Sequence, residues 1–449
     1  MTPLADLSAD AELASRTRWK ITKRLIPFLF VLYLVAYLDR VNVSFAGLEM
    51  TKELGLSNQA FGFGAGIFFV GYFLLEIPGA VIVETWSARK WIARIMVTWG
   101  ILAAGTGFIQ NATQFYWIRF FLGMAEAGFF PGVLVYLSHW YRAEDRAKAV
   151  AMFMMAKPAS EIIGAPISAL LMNVHWFDMA GWRWLLILEG LPAVLLGVVT
   201  FFYLTDRPHQ AKWLKQDEKD WIERQISRER SGHTMSHWQQ IRVALSSPRV
   251  WLLMMAYFAS VNTNYGILMW LPKILKSFSG ATNTVVIAMT AIPFVIALPC
   301  ALYVSWHSDK TGERRWHAAI AAGATASAFA VLTVGLGNLA ASIAMFAVAM
   351  SGIYALRGPF WAIATTAYSG TTRAAAVGLI NSFGNLGGFV GPYTVGSISA
   401  GPGGYLDGLL YLSCSALASA VLVLIAGSTS KPQPVGLPNL RPAIDREAH

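Results

Sequence analysis

The chain has 449 residues, of which 55% are hydrophobic and only 13% charged, and its mean hydropathy is +0.49. A soluble protein of this length needs far more polar surface, so the composition excludes that class and indicates a polytopic membrane protein. The net charge of +10 invites a nucleic-acid reading, which the placement of the charges along the chain argues against.

The first twenty residues, MTPLADLSADAELASRTRWK, are polar and mixed in charge. They lack the apolar core and small-residue cleavage site of a signal peptide, so the first span itself directs insertion. A bilayer core of about 30 Å needs about 20 helical residues. Stretches of that kind recur at 24–48, 59–83, 91–110, 113–138, 147–174, 183–204, 249–275, 283–307, 316–335, 340–366, 373–399 and 404–426. The expectation is an all-α membrane protein of twelve transmembrane helices in two pseudo-symmetric six-helix bundles. Cys300 and Cys414 fall in separate spans and read as small apolar packers, not a disulfide or a metal site.

Basic residues alternate with the spans. Arg16, Arg18, Lys20, Lys23 and Arg24 precede the first, Arg89, Lys90 and Arg94 follow the second, Arg142, Arg146 and Lys148 follow the fourth, and Lys310, Arg314 and Arg315 follow the eighth. The intervening loops carry little, chiefly Lys52, Arg183, Lys273 and Lys276. This is the positive-inside pattern and places both termini in the cytoplasm. The longest polar interval, 205–247, contains Trp213–Arg230, where Trp213, Leu214, Trp221, Ile222 and Ile226 recur at near-helical spacing. It reads as an amphipathic cytoplasmic helix tethering two halves, with a regulatory role as the other reading. The expected division is a first bundle over 1–204, a linker over 205–248, a second bundle over 249–426 and a cytoplasmic tail over 427–449.

An internal repeat supports the two halves. ETWSARKW (Glu84–Trp91) after the second span is answered by DKTGERRW (Asp309–Trp316) after the eighth. Glu84 matches Asp309, Arg89 matches Arg314, and Lys90 matches Arg315. An acid followed five residues later by paired bases suits a tight turn that exchanges ion pairs with helix ends as the halves rock. This duplicated loop resembles the signature of the major facilitator superfamily, usually Gly-x-x-x-Asp-Arg-x-Gly-x-Arg-Arg. The second copy is close; in the first, Glu84, Thr85 and Ser87 replace Asp, Arg and Gly. The resemblance implies a central midplane cavity worked by alternating access.

Charged residues inside the spans point to what is carried. Asp39 and Arg40 lie mid-span, as do Arg119, Glu126, Lys157, Glu161 and Arg357. Each costs roughly 2.5–3.5 kcal/mol on insertion scales, so such residues mark binding or titration within the membrane. Arg119 and Glu126 are seven apart, about two turns, and share a helix face. Arginine remains protonated and its fork matches a carboxylate. A low-dielectric site favours the neutral form of a carboxyl, so acids there can exchange protons. Fixed cations beside titratable acids are the parts of a proton symporter for an anion; simple ion pairing that fixes helix packing is the alternative.

YLDRVNVSFA (Tyr37–Ala46), GYFLLEIPG (Gly71–Gly79), RFFLGMAEAGFFPG (Arg119–Gly132), GWRWLLILEGLPA (Gly181–Ala193) and NSFGNLGGFVGP (Asn381–Pro392) resemble the anion:cation symporter family. By that resemblance Asp39 and Glu126 stand at protonation positions, Arg40 at the substrate-anion position, and Arg119 where gate, substrate and Glu126 are coupled. Tyr37 and Tyr72 stand at gating positions, and Asn385 at a binding position. Glu76 reads equally as a packing contact beside Pro78.

Two cations set this chain apart. Lys157 either faces the pocket or pairs with Glu161, four residues on. Arg357 adds a site or gate cation to the tenth span, and Trp361 is one turn away. Tyr265, Trp270, Phe360 and Trp361 supply aromatic walls, Asn381 could bond a substrate, and the glycines at 384, 387, 388 and 391 mark close helix approach. The expectation is proton-coupled uptake of a small dicarboxylate or aromatic carboxylate by a monomeric protein in a bacterial inner membrane, with no cofactor, metal or nucleic acid. A sugar-acid symporter is the nearest rival, followed by an exporter (Gly164 and Pro166 only partly match an antiporter motif) and a transporter-like receptor. An enzyme is not expected: no HExxH pair, nucleophile elbow or phosphate loop occurs, and the histidines show no metal-site spacing.

Overall fold

A computed structural model describes residues 3–229, 237–335, 338–366 and 370–428. The expected tail lies outside the described residues from 429 onward, as does the side chain of Glu84. The first half consists of α1 (Pro3–Glu53), α2 (Asn58–Thr85), α3 (Ala88–Thr106), α4 (Ala112–Glu126) with α5 (Phe129–Ser138), α6 (Ala143–Met154) with α7 (Ala156–Leu171), and α8 (Gly181–Tyr203). The linker holds α9 (Gln216–Glu229) and α10 (His237–Leu245). The second half consists of α11 (Pro248–Ser279), α12 (Asn283–Thr311), α13 (Arg315–Thr333), α14 (Leu339–Ala355) with α15 (Arg357–Thr366), α16 (Gly370–Asn385) with α17 (Gly387–Ile398), and α18 (Tyr405–Ser428). Taking each consecutive pair as one rod, every half has six. Among the described residues nine rods are long and apolar enough to cross a membrane.

The fourth and fifth rods of each half are the interrupted ones, and sequence explains where. Gly128 sits at φ +84°, a left-handed conformation that glycine adopts without a Cβ penalty, and Gly79 of α2 packs directly against it. Pro158 and Pro359 follow the interruptions at Met155 and Leu356; each lacks the N–H that would bond four residues back. Gly384, Gly387 and Gly388 flank the interruption at Leu386.

Both halves start and finish at the linker end. There α9 docks on the first half: Trp213 stacks on Trp140 with centroids 5.3 Å apart, and Trp221 and Ile222 are buried. Glu218 accepts from Arg16 at 3.0 Å and from Lys20 at 3.1 Å. Burial alone would raise the Glu218 carboxyl, but Lys20, the Lys215 N–H and Arg16 hold it below the usual glutamate range. At the opposite, far end the halves close on each other. Asn283 donates to Glu49 at 3.0 Å, Asn173 to Thr284 at 3.2 Å, and Phe61 meets Trp270 edge-on at 5.3 Å. Two residues counted with the intervening loops, at the edges of their expected spans, are buried. Arg183 pairs with Glu53 at 2.8 Å, and Lys273 places its ammonium 4.3 Å from the Phe61 ring centroid. Each folds inward because a polar or aromatic partner on a neighbouring helix receives it.

Candidate functional site at the helix interruptions

The interruptions gather the site. Glu126 is the last residue of α4, Lys157 the second of α7, Arg357 the first of α15 and Asn385 the last of α16. Discontinuous helices near mid-membrane are where carriers build binding sites, because irregular backbone is tolerated there only against protein or a cavity.

Arg40 reaches across from α1. Its Nε donates to Glu126 Oε1 at 2.7 Å, and a terminal nitrogen meets the same oxygen. Its Nη1 donates to the hydroxyls of Tyr37 and Tyr265, each at 3.4 Å. The Tyr37 and Tyr72 rings lie 4.9 and 5.1 Å from its guanidinium carbon. The side chain is 12% exposed whereas Glu126 is 2% exposed, so the arginine is the accessible member. Arg119 is buried behind them, 4.9 Å from the Phe68 ring, and donates to the Ala65 carbonyl at 3.5 Å. Asp39 points away from Arg40, into the first half. Its Oδ1 accepts from Asn42 at 2.7 Å, and its Oδ2 has no hydrogen-bond partner among the described residues.

Of the two readings open for Lys157, the helical pair with Glu161 is not formed. The Lys157 ammonium lies 5.0 Å from the Tyr37 ring and 5.9 Å from the Tyr354 ring, with no carboxylate at ion-pair distance among the described residues. Glu161 instead accepts from the Tyr354 hydroxyl of the other half. Arg357 donates to Asn264 at 3.0 Å, and its guanidinium carbon is 4.5 Å from the Tyr354 ring. Trp361 does not join it. That ring packs on Tyr257 at 4.9 Å and Phe360 at 5.5 Å, in the core of the second half. Asn385 is also occupied: with Asn381 it donates to Glu76, at 3.3 and 2.8 Å, so Glu76 bridges the halves.

The duplicated loop differs between its copies. In the second, Arg314 pairs with Asp309 at 3.4 Å, and the Arg315 guanidinium carbon lies 5.7 Å from the Trp316 ring. In the first, Asp206, just beyond α8, supplies an acid. Asp206 accepts from the Arg89 N–H at 2.9 Å and from Ser87 at 2.8 Å, while the Lys90 ammonium lies 5.9 Å from the Trp86 ring. Sequence reading passed over Asn42, Asn264, Tyr354 and Glu189. Glu189 was findable, since a glutamate inside a span carries the same cost that singled out Asp39. The neutral residues carry no such signal.

A family model described as Major Facilitator Superfamily matches residues 29–392. A candidate tartrate transporter of Agrobacterium vitis is 43% identical over 94% of this chain and 97% of its own length. A quinolone resistance transporter of Acinetobacter baumannii is 36% identical over 90% and 93%. Among solved structures, an inward-facing, unoccupied bacterial homolog of the human lysosomal transporter Spinster superposes with a TM-score of 0.72 at 18% identity, covering 91% of this chain and 96% of that one. That last likeness speaks for the fold alone. The chain therefore belongs to the major facilitator superfamily and is a membrane transporter, and its relatives are consistent with the anion:cation symporter branch that its motifs resemble.

Proposed function

We propose that the protein takes up an organic anion together with protons, preferring a small dicarboxylate or a carboxylate on an aromatic body. The observation that carries this reading is the trio Arg40, Lys157 and Arg357. They come from both halves to the helix interruptions, and among the described residues Lys157 and Arg357 have no carboxylate within ion-pair distance: they meet tyrosine faces and an amide, and Glu161, the acid that faces both, is held by Tyr354. An anion supplies the countercharge these groups lack, and its two ends can engage cations of opposite halves. Arg40 binds one carboxylate; displacing Glu126 from it frees that acid to accept a proton, and Asp39 is the second acid of the coupling. Tyr37, Tyr72 and Tyr265 line the route past Arg40, and the loop pairs at Asp206 and Asp309 exchange as the halves rock. The name of the Agrobacterium relative supports a dicarboxylate.

In this reading the protein is a monomer in the bacterial inner membrane. The linker end and both termini are cytoplasmic, the bundles span 1–204 and 249–426, and the shut far end faces outward. Proteoliposomes with an inward proton gradient should accumulate tartrate or phthalate, and a protonophore should abolish accumulation. Uptake indifferent to the gradient would overturn the coupling. The quinolone-resistance relative motivates a second reading, export of an aromatic solute; it predicts efflux driven by the same gradient and no accumulation. Strong preference for an aldonate would favour the sugar-acid reading.

A further inference from the structure

Behind Arg40, away from the trio of cations, the first half encloses a second acidic centre. Glu189 lies on α8 in the middle of its span and is 5% exposed. Its Oε1 accepts from Ser168 of α7 at 2.8 Å, and its Oε2 has no hydrogen-bond partner among the described residues. The ionisable group that faces Glu189 is Asp39 of α1, and Asn42, which donates to Asp39 at 2.7 Å, faces Glu189 as well. On the α3 side the contact is made by Gly100, Ala103 and Ala104, which pack on Gly190, while the Trp99 indole faces Asp39. The charged residues of α3 are Arg89, Lys90 and Arg94, all towards the linker end. From α4 both Glu126 and Arg119 face Asp39, Glu126 being held by Arg40, and neither Asp39 nor Glu189 has an ion-pair partner within 4 Å among the described residues. Arg183, on the same helix as Glu189, is engaged by Glu53.

Two carboxylates in one apolar enclosure without a bound cation cannot both stay ionised. We propose that Glu189 and Asp39 form a coupled proton-binding pair, in which Glu189 is a second exchanging proton site bridged to Asp39 by Asn42. The inference rests on the proton-coupled reading above and adds a residue to it. A proton arriving at Asp39 is held by a pair of acids, and one negative charge at most remains in the enclosure. Asn42 and Ser168 are the hydrogen-bond donors that support that charge on either acid. Interacting acids titrate in two steps that belong to the pair, not to one residue.

The test is pH-difference infrared spectroscopy of the reconstituted full chain without added substrate, which reads protonated carboxyls directly. Among the titrating buried carboxyl bands of the wild type, two should belong to this pair, beside those of Glu126, Glu76 and Glu161. Glu189→Gln should remove one and displace the midpoint of the other by about one pH unit or more. Asp39→Asn should do the reciprocal. Ser168→Ala, a milder change, should displace the Glu189 step and leave the Asp39 band present, and it decides the matter where Glu189→Gln does not fold. Spectra of Glu189→Gln identical to wild type, or removal of one band with no displacement of the other, overturn the pair. Failure of gradient-driven uptake by wild type overturns the proton-coupled reading, which the infrared titration does not address.

Discussion

The two halves share a fold but divide the chemistry unequally. At mid-height the first half carries Asp39, Arg40, Glu76, Arg119, Glu126, Lys157, Glu161 and Glu189, whereas the second offers Arg357 as its cation. The second half answers with neutral hydrogen-bonding side chains. Tyr265 meets Arg40, Tyr354 meets Glu161, and Asn381 and Asn385 meet Glu76. A fixed charge set in one rigid bundle, read by neutral groups in the other, suits a carrier. Protonating Glu76 or Glu161 weakens bonds that cross between the halves, and with them the hold of one half on the other, without rebuilding either core.

The largest expected effect tests whether coupling is confined to the first half. Asp39→Asn or Glu126→Gln should abolish gradient-driven accumulation in proteoliposomes while substrate exchange continues, because a neutral amide mimics the protonated acid. Driven uptake surviving both changes would remove these residues from the coupling.

Next comes the contrast between cations. Arg40→Ala should weaken binding by about 30-fold or more, since truncating one member of a buried charged pair costs about 2–5 kcal/mol. Arg357→Ala should cost about tenfold, because its hydrogen-bond partner, Asn264, is neutral. Titration calorimetry with the transported acid measures both, and equal losses would erase the asymmetry.

The far-end contact can be broken without touching a charge. A Cβ on Gly66 of α2 would come within 2.7 Å of the Phe389 carbonyl oxygen in α17. Gly66→Val should cost the closed far end about 1–3 kcal/mol by overpacking. Alkylation of a cysteine placed at Ala65, buried on the α2 face where Phe61 and Phe69 meet the second half, with Cys300 and Cys414 replaced, should then rise about fivefold or more.

Smaller still is a change in preference. Lys157→Gln should shift competition from dicarboxylates towards polyhydroxy monoacids by a few fold, with less effect from Glu161→Gln. Equal damage from either change, with rescue in the double variant, would reinstate a Lys157–Glu161 pair.

The smallest effect lies outside the membrane. Glu218 is held below the usual glutamate range, so its contribution to docking α9 is complete above its ordinary value of 4.5. It is lost as pH falls through the lowered value, when the carboxylate facing Arg16 and Lys20 is neutralised. Glu218→Gln should speed proteolysis of the linker at neutral pH, leave transport nearly unchanged, and remove that acid-range dependence.

Much of this protein was legible one residue at a time. The cost of a polar group in hydrocarbon is local, so the span pattern, the two halves and Asp39, Arg40, Arg119, Glu126, Lys157 and Arg357 followed from the amino-acid sequence. So did the amphipathic α9, whose buried face is the one its Trp and Ile spacing marked. Partnership was different, because it depends on helix rotation and tilt, which are set by packing between segments distant in sequence. Glu161 has Lys157 four residues away, yet its partner is Tyr354, 193 residues on. Glu76 finds Asn381 and Asn385 more than 300 residues away. Lys273 and Arg183, counted with the loops at the edges of their spans in sequence, turn inward because Phe61 and Glu53 come from other helices to meet them. The sequence by itself determined which charges the membrane must tolerate. Only the tertiary structure decided which of them face each other, because those contacts form when separate helices pack.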